Sequence, residues 1–305
     1  MLTVLQTALE VGLIYGLVAL ALFISFSILN IADLSTDGCF TLGCAVGAML
    51  TIAGHPILAL FAAMAAGMLS GYVTAFLQTR LGVESILAGI ISNTGLYTIN
   101  LAVMGFSSNV SITGVDTVFS LFKGLVGGQW SRLILLALIA AVLVLVLIRF
   151  FGTSLGLSIR ATGDSLDMVS ASSINPKATI TIGLCLANAL TALSGCLIGE
   201  YNKFCDINLG TGMVTIALAS LIIGEVFAGR RGGIGKRVVC VVLGSIVYRL
   251  IIALALRLNI SAEYFKLVSA VIVAVAIAAP NMKDYVHLAK IKSNARKLRA
   301  LSGKG

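Results

Sequence analysis

The chain has 305 residues, of which 59% are hydrophobic and only 11% are charged. A soluble domain usually carries about a quarter charged residues, so this composition excludes an ordinary soluble protein. The formal net charge of +9 is compatible with a nucleic-acid partner, but the basic residues lie mostly between long apolar runs. That placement is the one the positive-inside rule describes for membrane proteins.

Long continuous apolar runs predict an all-α bundle of membrane-spanning helices. A run of roughly 20 apolar residues can cross the hydrocarbon layer as a helix, and in lipid the backbone must satisfy its own polar groups. We count about nine spans, within a range of eight to ten. They are Leu5–Leu29, Thr36–Ala53, Pro56–Phe76, Ile86–Met104, Leu133–Phe150, Ala178–Gly199, Gly210–Phe227, Val238–Leu256 and Phe265–Ala279. We expect one transmembrane domain over residues 1–282 and a basic tail over 283–305.

The positions of lysine and arginine predict the orientation. The tail after Pro280 is rich in both and is expected in the cytoplasm. Counting spans backward places three further basic loops on the same side: the turn at Arg80, the loop Gly152–Lys177 and the loop around Arg237. The N-terminus is then outside, although the stretch Met1–Glu10 holds no basic residue to support that side.

A polar break separates the first two predicted spans. It contains Asn30, Asp33, Ser35, Thr36, Asp37 and Gly38. Polar groups at membrane depth are costly and often mark a pathway, so one interpretation is a broken helix that enters a cavity. The other is a solvated cytoplasmic turn in which Asp33 caps the following helix.

Two predicted spans carry polar stripes. The first comprises Ser85, Ser92, Asn93, Tyr97 and Asn100, and the second comprises Asn188, Thr191 and Ser194. Such stripes line a water-filled path or form hydrogen bonds between helices, each worth about 0.6–2 kcal/mol. Both interpretations stay open.

Charges and small residues inside the spans have structural interpretations. Arg249 lies near the middle of a predicted span, and we expect an ion pair there, with Glu225 as a candidate partner. Two GxxxG pairs, Gly43 with Gly47 and Gly67 with Gly71, allow close helix contact. We favour packing within one chain over a dimer contact.

The loop Gly152–Lys177 predicts a short helix. Thr162–Ser165 has the character of a turn, Asp164 or Ser165 can cap the next helix, and Asp167 suits its first turn. We expect an amphipathic helix of about three turns that ends before Pro176. Such a helix either docks into a groove on a partner or lies on the membrane surface.

The chain lacks the motifs of an enzyme. Gly232–Lys236 is the nearest match to a phosphate-binding loop, but Arg230 stands where the first glycine is required and Arg237 replaces the Ser/Thr. The two histidines, His55 and His287, and the six cysteines show no metal-ligand spacing. We expect no catalytic residue, metal or cofactor.

Three stretches resemble a known family. They are residues 160–225, residues 29–38 (LNIADLSTDG) and residues 86–105 (ILAGIISNTGLYTINLAVMG). They are similar to ABC importer permeases of the branched-chain amino acid and ribose type, closest to the tryptophan/tyrosine branch. The resemblance implies a homodimer in a bacterial cell membrane, a separate ATPase subunit that consumes the ATP, and an extracytoplasmic substrate-binding lipoprotein. The implied function is import of a small solute by alternating access, with an aromatic amino acid favoured.

The resemblance also implies roles for individual residues. It makes residues 162–174 a coupling segment for the ATPase, comprising Thr162, Gly163, Asp164, Asp167, Met168 and Ile174. The candidate pathway residues are Asp33, Ser35, Thr36, Asp37, Ser92, Asn93, Tyr97, Asn100 and Asn188. Three positions depart from the family pattern: Ser35 replaces Thr, Glu200 replaces Gln, and Ser173 replaces Gly.

Two other functions remain as alternatives. An ion-coupled secondary transporter would use intramembrane carboxylates, for which Asp33, Asp37 and Glu225 are candidates, and an internal repeat, which is not visible. A non-transporting membrane scaffold would have no need of polar stripes inside its spans.

Overall fold

The computed structural model describes residues 2–128, 130–229 and 232–257, together with positions 267, 270, 271 and 274. Its helices are α1 (Leu2–Leu22), which continues as a π-helical segment (Phe23–Ile28), α2 (Thr36–Ile52), α3 (Pro56–Thr79), α4 (Ser85–Val103), α5 (Val118–Val126), α6 (Ser131–Phe151), α7 (Ser154–Asp164), α8 (Leu166–Ala171), α9 (Pro176–Asn202), α10 (Met213–Ala228) and α11 (Ile234–Arg257). The tail 283–305 and nearly all of the ninth predicted span lie outside the described residues.

The fold is all-α, as predicted, but the predicted spans are not all of equal length. Within the described part of the chain, six helices are long and apolar enough to cross a membrane: Val4–Ile28, Pro56–Thr79, Ser85–Val103, Ser131–Phe151, Pro176–Asn202 and Ile234–Ala255. Thr36–Ile52 and Met213–Ala228 are apolar but shorter. Helix α2 begins at Thr36 and α10 begins at Met213, and both residues are buried, so each of these helices starts inside the bundle. The count of nine spans stays a prediction.

One end of the bundle carries structure that the sequence did not predict. Strands β1 (Asn109–Ser111) and β2 (Phe204–Asp206) form a small antiparallel ribbon. The nearby helix α5 begins with a capping box, in which Thr117 and Ser120 each bond to the other's backbone amide. Three-residue strands and a nine-residue helix are too short for periodicity to reveal.

Helix α9 is the centre of the core, and glycines bring α2 and α3 against it. A Cβ added at Gly43 would lie 1.9 Å from the Ala192 carbonyl oxygen, and a Cβ added at Gly47 would lie 2.4 Å from the Cys196 sulfur. Gly67 and Gly71 face α9 in the same way. The GxxxG pairs therefore pack within one chain, as predicted.

Helices α2 and α9 run parallel with a constant offset of 149 residues. The pairs at this offset are Cys39 with Asn188, Gly43 with Ala192, Gly47 with Cys196 and Thr51 with Glu200. The pairs recur at every fourth residue, which is the spacing of one ridge on a helix surface. Helix α2 therefore follows only the second half of α9.

A second tightly packed group contains α1, α10 and α11. Gly12 and Gly16 on α1 approach α11, where a Cβ would lie 3.0 Å from the Ile246 backbone and 2.9 Å from the Ser245 hydroxyl. Gly224 on α10 faces the Cys240 carbonyl, and Gly244 on α11 faces Ser220. Each pair of helices again meets at backbone distance.

The described loops gather at two ends of the bundle. The α8 end contains α7, α8 and the turns after α3 and α10; its basic residues are Arg80, Arg149, Arg160, Lys177, Lys236 and Arg237. The α5 end contains α5, the β-ribbon, the turns after α2 and α9 and the end of α11; its described basic residues are Lys123, Arg132, Lys203 and Arg257. The loops that the sequence assigned to one side thus lie together.

Candidate functional site

The polar break after the first span is buried inside the bundle. Asp33, Ser35 and Thr36 are at most 3% exposed, so the interpretation as a solvated turn is wrong. Helix α2 starts beside Asn188 of α9. At a rise of 1.5 Å per residue, Asn188 lies about 18 Å along α9 from Pro176, the first residue of that helix. The chain therefore re-enters the bundle between α1 and α2.

The Asp33 carboxylate organises this loop. One of its oxygens accepts hydrogen bonds from the Ser35 backbone amide at 2.8 Å and from the Ser35 hydroxyl at 2.6 Å. The other accepts from the Asn188 side-chain amide at 2.9 Å. Asp33 thus fixes the turn that leads into α2 and fastens it to the middle of α9.

Asp37 links the same junction to α10. Its two carboxylate oxygens accept the backbone amides of Gly212 and Val214, each at 2.9 Å. These are among the amides at a helix start that have no intrahelical partner. The Thr41 hydroxyl also accepts the Gly210 amide at 3.1 Å. Asp37 is therefore the cap of a helix that begins 176 positions later in the sequence.

Two helix N-termini consequently meet beside two carboxylates, the buried Asp33 and the half-buried Asp37. The positive ends of the α2 and α10 dipoles favour negative charge, and Asp33 and Asp37 supply it. Broken helices at membrane depth form solute sites in transporters. In this junction the two carboxylates accept backbone amides near the helix starts, so both kinds of group are paired. We call residues 30–38 with Asn188 and residues 210–214 the helix junction.

Two residues of the stripe on α4, Asn93 and Asn100, face the helix junction. The Asn100 side-chain amide donates to the Gly38 carbonyl at 3.0 Å, and Asn93 lies close to the Gly38 Cα. Ser92 bonds the Thr74 hydroxyl on α3 at 2.8 Å. Tyr97 lies on the other face of α4 and is 52% exposed, so it does not join the cluster.

One buried acceptor in this cluster has no partner. The side-chain oxygen of Asn100 is inaccessible and makes no hydrogen bond, although the residue is only 1% exposed. Buried polar atoms are nearly always paired. Asn100 therefore has capacity left for one donor beside the start of α2.

Glu200, one of the three departures from the family pattern, is buried and hydrogen-bonded within the bundle. Its carboxylate accepts the Thr51 hydroxyl and the Val118 backbone amide, each at 2.9 Å, and the residue is 1% exposed. It thereby holds the start of α5 against the ends of α2 and α9. Because the three segments are far apart in sequence, no local motif indicated this contact.

Glu225 is not the partner of Arg249, which corrects the expected ion pair. Glu225 bonds Arg237 at 2.7 Å and also accepts the Ser27 hydroxyl, so it ties α10 to α11 and to the π-helical segment. The Arg249 guanidinium instead lies 4.0 Å from the centre of the Tyr15 ring. Its Nε is buried without a hydrogen-bond partner.

The segment Thr162–Ile174 divides into an inward and an outward part. Thr162 and Gly163 belong to the last turn of α7 rather than to a turn: the Thr162 hydroxyl bonds Thr179 on α9 at 2.8 Å, and Gly163 abuts the Ile28 carbonyl. Ile174 is half-buried. Asp164, Asp167 and Met168 are exposed at the α8 end.

Helix α8 is shorter than predicted. It spans six residues, fewer than two turns, and its cap is Ser165, whose hydroxyl accepts the Met168 amide at 3.4 Å. Val169 is 1% exposed and fixes the helix to the bundle, whereas Leu166 and Met168 are 53% and 52% exposed. The exposed apolar side chains point away from the core.

Long apolar helices around a buried polar junction define a multi-pass α-helical membrane protein. The family described as "Branched-chain amino acid transport system / permease component" matches residues 4–277, and the chain belongs to this family. The resemblance inferred from three stretches of the sequence is therefore confirmed.

Two curated proteins are similar over almost their whole length. The chain is 31% identical to the "Tyrosine transport system permease protein" of Clostridioides difficile (strain R20291), over 93% of this chain and 92% of the relative. It is also 31% identical to an uncharacterized protein of Rickettsia prowazekii (strain Madrid E), over 92% of this chain and 99% of the relative. No solved structure matches.

Proposed function

We propose that the chain is the membrane-spanning permease subunit of an ATP-binding cassette importer in a bacterial cell membrane. Two copies would work with a separate ATPase subunit, which consumes the ATP, and with an extracytoplasmic substrate-binding lipoprotein. The chain itself would carry no nucleotide site, metal or cofactor. The α8 end, where most described basic residues lie, would face the cytoplasm, and so would the C-terminal tail after nine spans.

The observation that carries this proposal is helix α8. It presents Leu166 and Met168 at the end of the bundle, with Asp164 and Asp167 beside them, on a support fixed by Val169. A short, rigidly held helix with an exposed apolar pair suits a groove on a partner protein. The inward-facing Thr162 and Gly163 would transmit its movement to α9 and to the end of α1.

The transported small solute is proposed to be an amino acid, with the aromatic type favoured. The support is the relative from Clostridioides difficile, whose name refers to tyrosine. Among the described residues of the cluster, the Asn100 oxygen is the acceptor with capacity for a solute donor. The carboxylates of Asp33 and Asp37 already accept protein donors and would exchange partners to contact an ammonium group. Ser92, Asn93 and Asn188 would line the same route.

Uptake into proteoliposomes tests the transport proposal. Vesicles that contain the chain and its ATPase partner should accumulate tyrosine or tryptophan only when ATP and the binding protein are present on their proper sides. Accumulation without ATP, driven by an imposed proton or sodium gradient, would instead establish the secondary transporter. In the described structure Asp33, Asp37 and Glu225 all hold protein hydrogen bonds, so ion binding there would require exchange of partners.

Co-purification tests the coupling segment separately. Met168→Ala should reduce recovery of the ATPase subunit and ATP-dependent uptake, because it removes an exposed apolar contact. Met68→Ala is the matched control, since Met68 is 44% exposed on the membrane-spanning α3. Equal ATPase recovery and uptake in both variants would overturn the assignment of α8.

A further inference from the structure

A cavity of about 250 Å³ lies between the end of α3 and the start of α9, apart from the helix junction. Its basic residues are Arg80 and Lys177, and the hydroxyls of Thr79 and Thr181 stand near them. Tyr72 and Phe76 form the apolar part of its wall. None of these side chains has a role in the proposed transport.

The cavity sits where two candidate spans meet the edge of the membrane. The span Pro56–Thr79 ends at its rim, and the span Pro176–Asn202 begins there. Residues at the ends of spans lie at the level of the lipid headgroups, where aromatic and basic side chains are enriched. The cavity is therefore open to the headgroup layer rather than to the hydrocarbon or to bulk water.

Its electrostatics favour an anion. Arg80 and Lys177 carry two positive charges, and the described residues that line the cavity include no carboxylate. The start of α9 adds the positive end of a helix dipole. Asn175 already caps the Lys177 amide at 3.0 Å, so the two side-chain cations supply the principal attraction.

An exposed apolar stripe leads along α3 into the cavity. Phe61 and Leu69 are 66% and 68% exposed, and Tyr72 and Phe76 continue the same face at helical spacing. The rings of Tyr72 and Phe76 lie 6.4 Å apart. A ligand with an anionic head and an apolar tail would match both the cavity and the stripe.

We propose that this cavity binds the phosphate headgroup of an anionic phospholipid, whose acyl chains lie along the outer face of α3. Arg80 and Lys177 attract the phosphate, and Phe76 contacts the first methylenes. The hydroxyls of Thr79 and Thr181 already donate to the Ala75 and Lys177 carbonyls at 2.8 and 2.7 Å, so the two cations carry the attraction. Basic cavities between helices at a membrane surface bind anionic headgroups in this way. The continuity of cavity and stripe favours a lipid over a free anion.

Native mass spectrometry of the detergent-purified full chain tests the proposal. The chain would be mixed with phosphatidylglycerol or with phosphatidylcholine of the same acyl chains. We expect one molecule of phosphatidylglycerol to be retained in preference to phosphatidylcholine. Arg80→Gln and Lys177→Gln should each weaken its retention about five-fold, the effect of one basic residue near an anionic surface.

Two further variants identify the source of the effect. Lys236→Gln removes an exposed cation at the same end of the bundle but outside the cavity, and it should leave retention unchanged. Phe76→Gln keeps both cations and should still weaken retention. Inorganic phosphate should not displace the lipid at millimolar concentration.

Three results would overturn the proposal. An equal loss in Lys236→Gln would show diffuse attraction to the whole surface. Displacement by inorganic phosphate together with full retention in Phe76→Gln would show a site for a free anion. Equal retention of the two lipids by the unaltered chain would show that no anionic headgroup is selected.

Discussion

The side-chain amide of Asn188 donates to the Asp33 carboxylate across 2.9 Å, joining the midpoint of α9 to a loop 155 residues earlier. Both residues are at most 3% exposed, so water does not compete for this bond. A hydrogen bond to a charged group contributes more than one between neutral groups. The start of α2 therefore depends on α9 for its position.

A double-mutant cycle should measure this dependence. We expect a coupling free energy of about 1.5–3 kcal/mol between Asp33→Ala and Asn188→Ala, from thermal unfolding in detergent. The neutral pair Thr74 and Ser92, at 2.8 Å in the same bundle, is the control and should give about 0.5–1.5 kcal/mol. Additive effects of Asp33→Ala and Asn188→Ala would contradict the bond.

Asp37→Asn should lower the free energy of unfolding by about 1–3 kcal/mol. The carboxylate accepts two amides at the start of α10, whereas the substituted side chain has one acceptor oxygen and directs its NH₂ group at the other amide. Asp116→Asn is the control, because Asp116 is exposed and bonds only the Ser120 hydroxyl 3.0 Å away. Its effect should stay within about 0.5 kcal/mol. Similar losses in both variants would argue against capping of α10.

Gly43→Ala should lower the unfolding temperature sharply. The added Cβ would lie 1.9 Å from the Ala192 carbonyl oxygen, so α2 and α9 would have to separate, at a cost of about 1–3 kcal/mol or more. Gly95→Ala on α4 is the control, since nothing lies within 4 Å of its Cβ position. That substitution should stabilise by about 0.5–1 kcal/mol through helix propensity. Comparable unfolding temperatures would refute the close contact.

Ser173→Gly should stabilise the chain by about 0.5–1 kcal/mol. Ser173 has φ = 59°, a left-handed conformation that costs a non-glycine residue about 1–2 kcal/mol. Glycine avoids this steric cost but loses more backbone entropy on folding, so only part of the cost is recovered. Ser172→Gly is the control: Ser172 has φ = −89°, and its hydroxyl donates to the Met168 carbonyl at 2.9 Å. We expect no gain there. Chemical denaturation of both variants provides the comparison, and an equal gain would exclude relief of strain.

The spans were predictable because their apolar runs are long and end at polar residues. The predicted Thr36–Ala53 and observed Thr36–Ile52 differ by one residue, and Pro56 begins α3 in both. The left-handed conformation of Ser173 explains why the family pattern has glycine at that position, since glycine adopts this conformation without strain.

The partners of the polar residues were not predictable in the same way. Asp37 caps a helix that begins 176 positions away, and Glu200 caps α5, which precedes it by 82. Hydropathy reports how deep a residue lies but not which neighbour it meets. Glu225 shows the consequence. The sequence made Glu225 a candidate partner of Arg249, whereas in the structure it forms an ion pair with Arg237.

The two glycine-lined groups of helices differ in how they are joined to each other. Within α2–α3–α9 and within α1–α10–α11, backbones touch and leave no room for sliding. Between the groups, polar contacts are prominent. The carboxylate of Asp37 on α2 accepts the Gly212 amide at the start of α10, and the hydroxyl of Ser194 on α9 donates to the Ile14 carbonyl on α1 at 2.7 Å. Hydrogen bonds can be exchanged for others, whereas interlocked backbones cannot slip. Any movement of one trio against the other would therefore exchange the hydrogen bonds of Asp37 and Ser194, and would shear the apolar core that α1 and α10 share with α9.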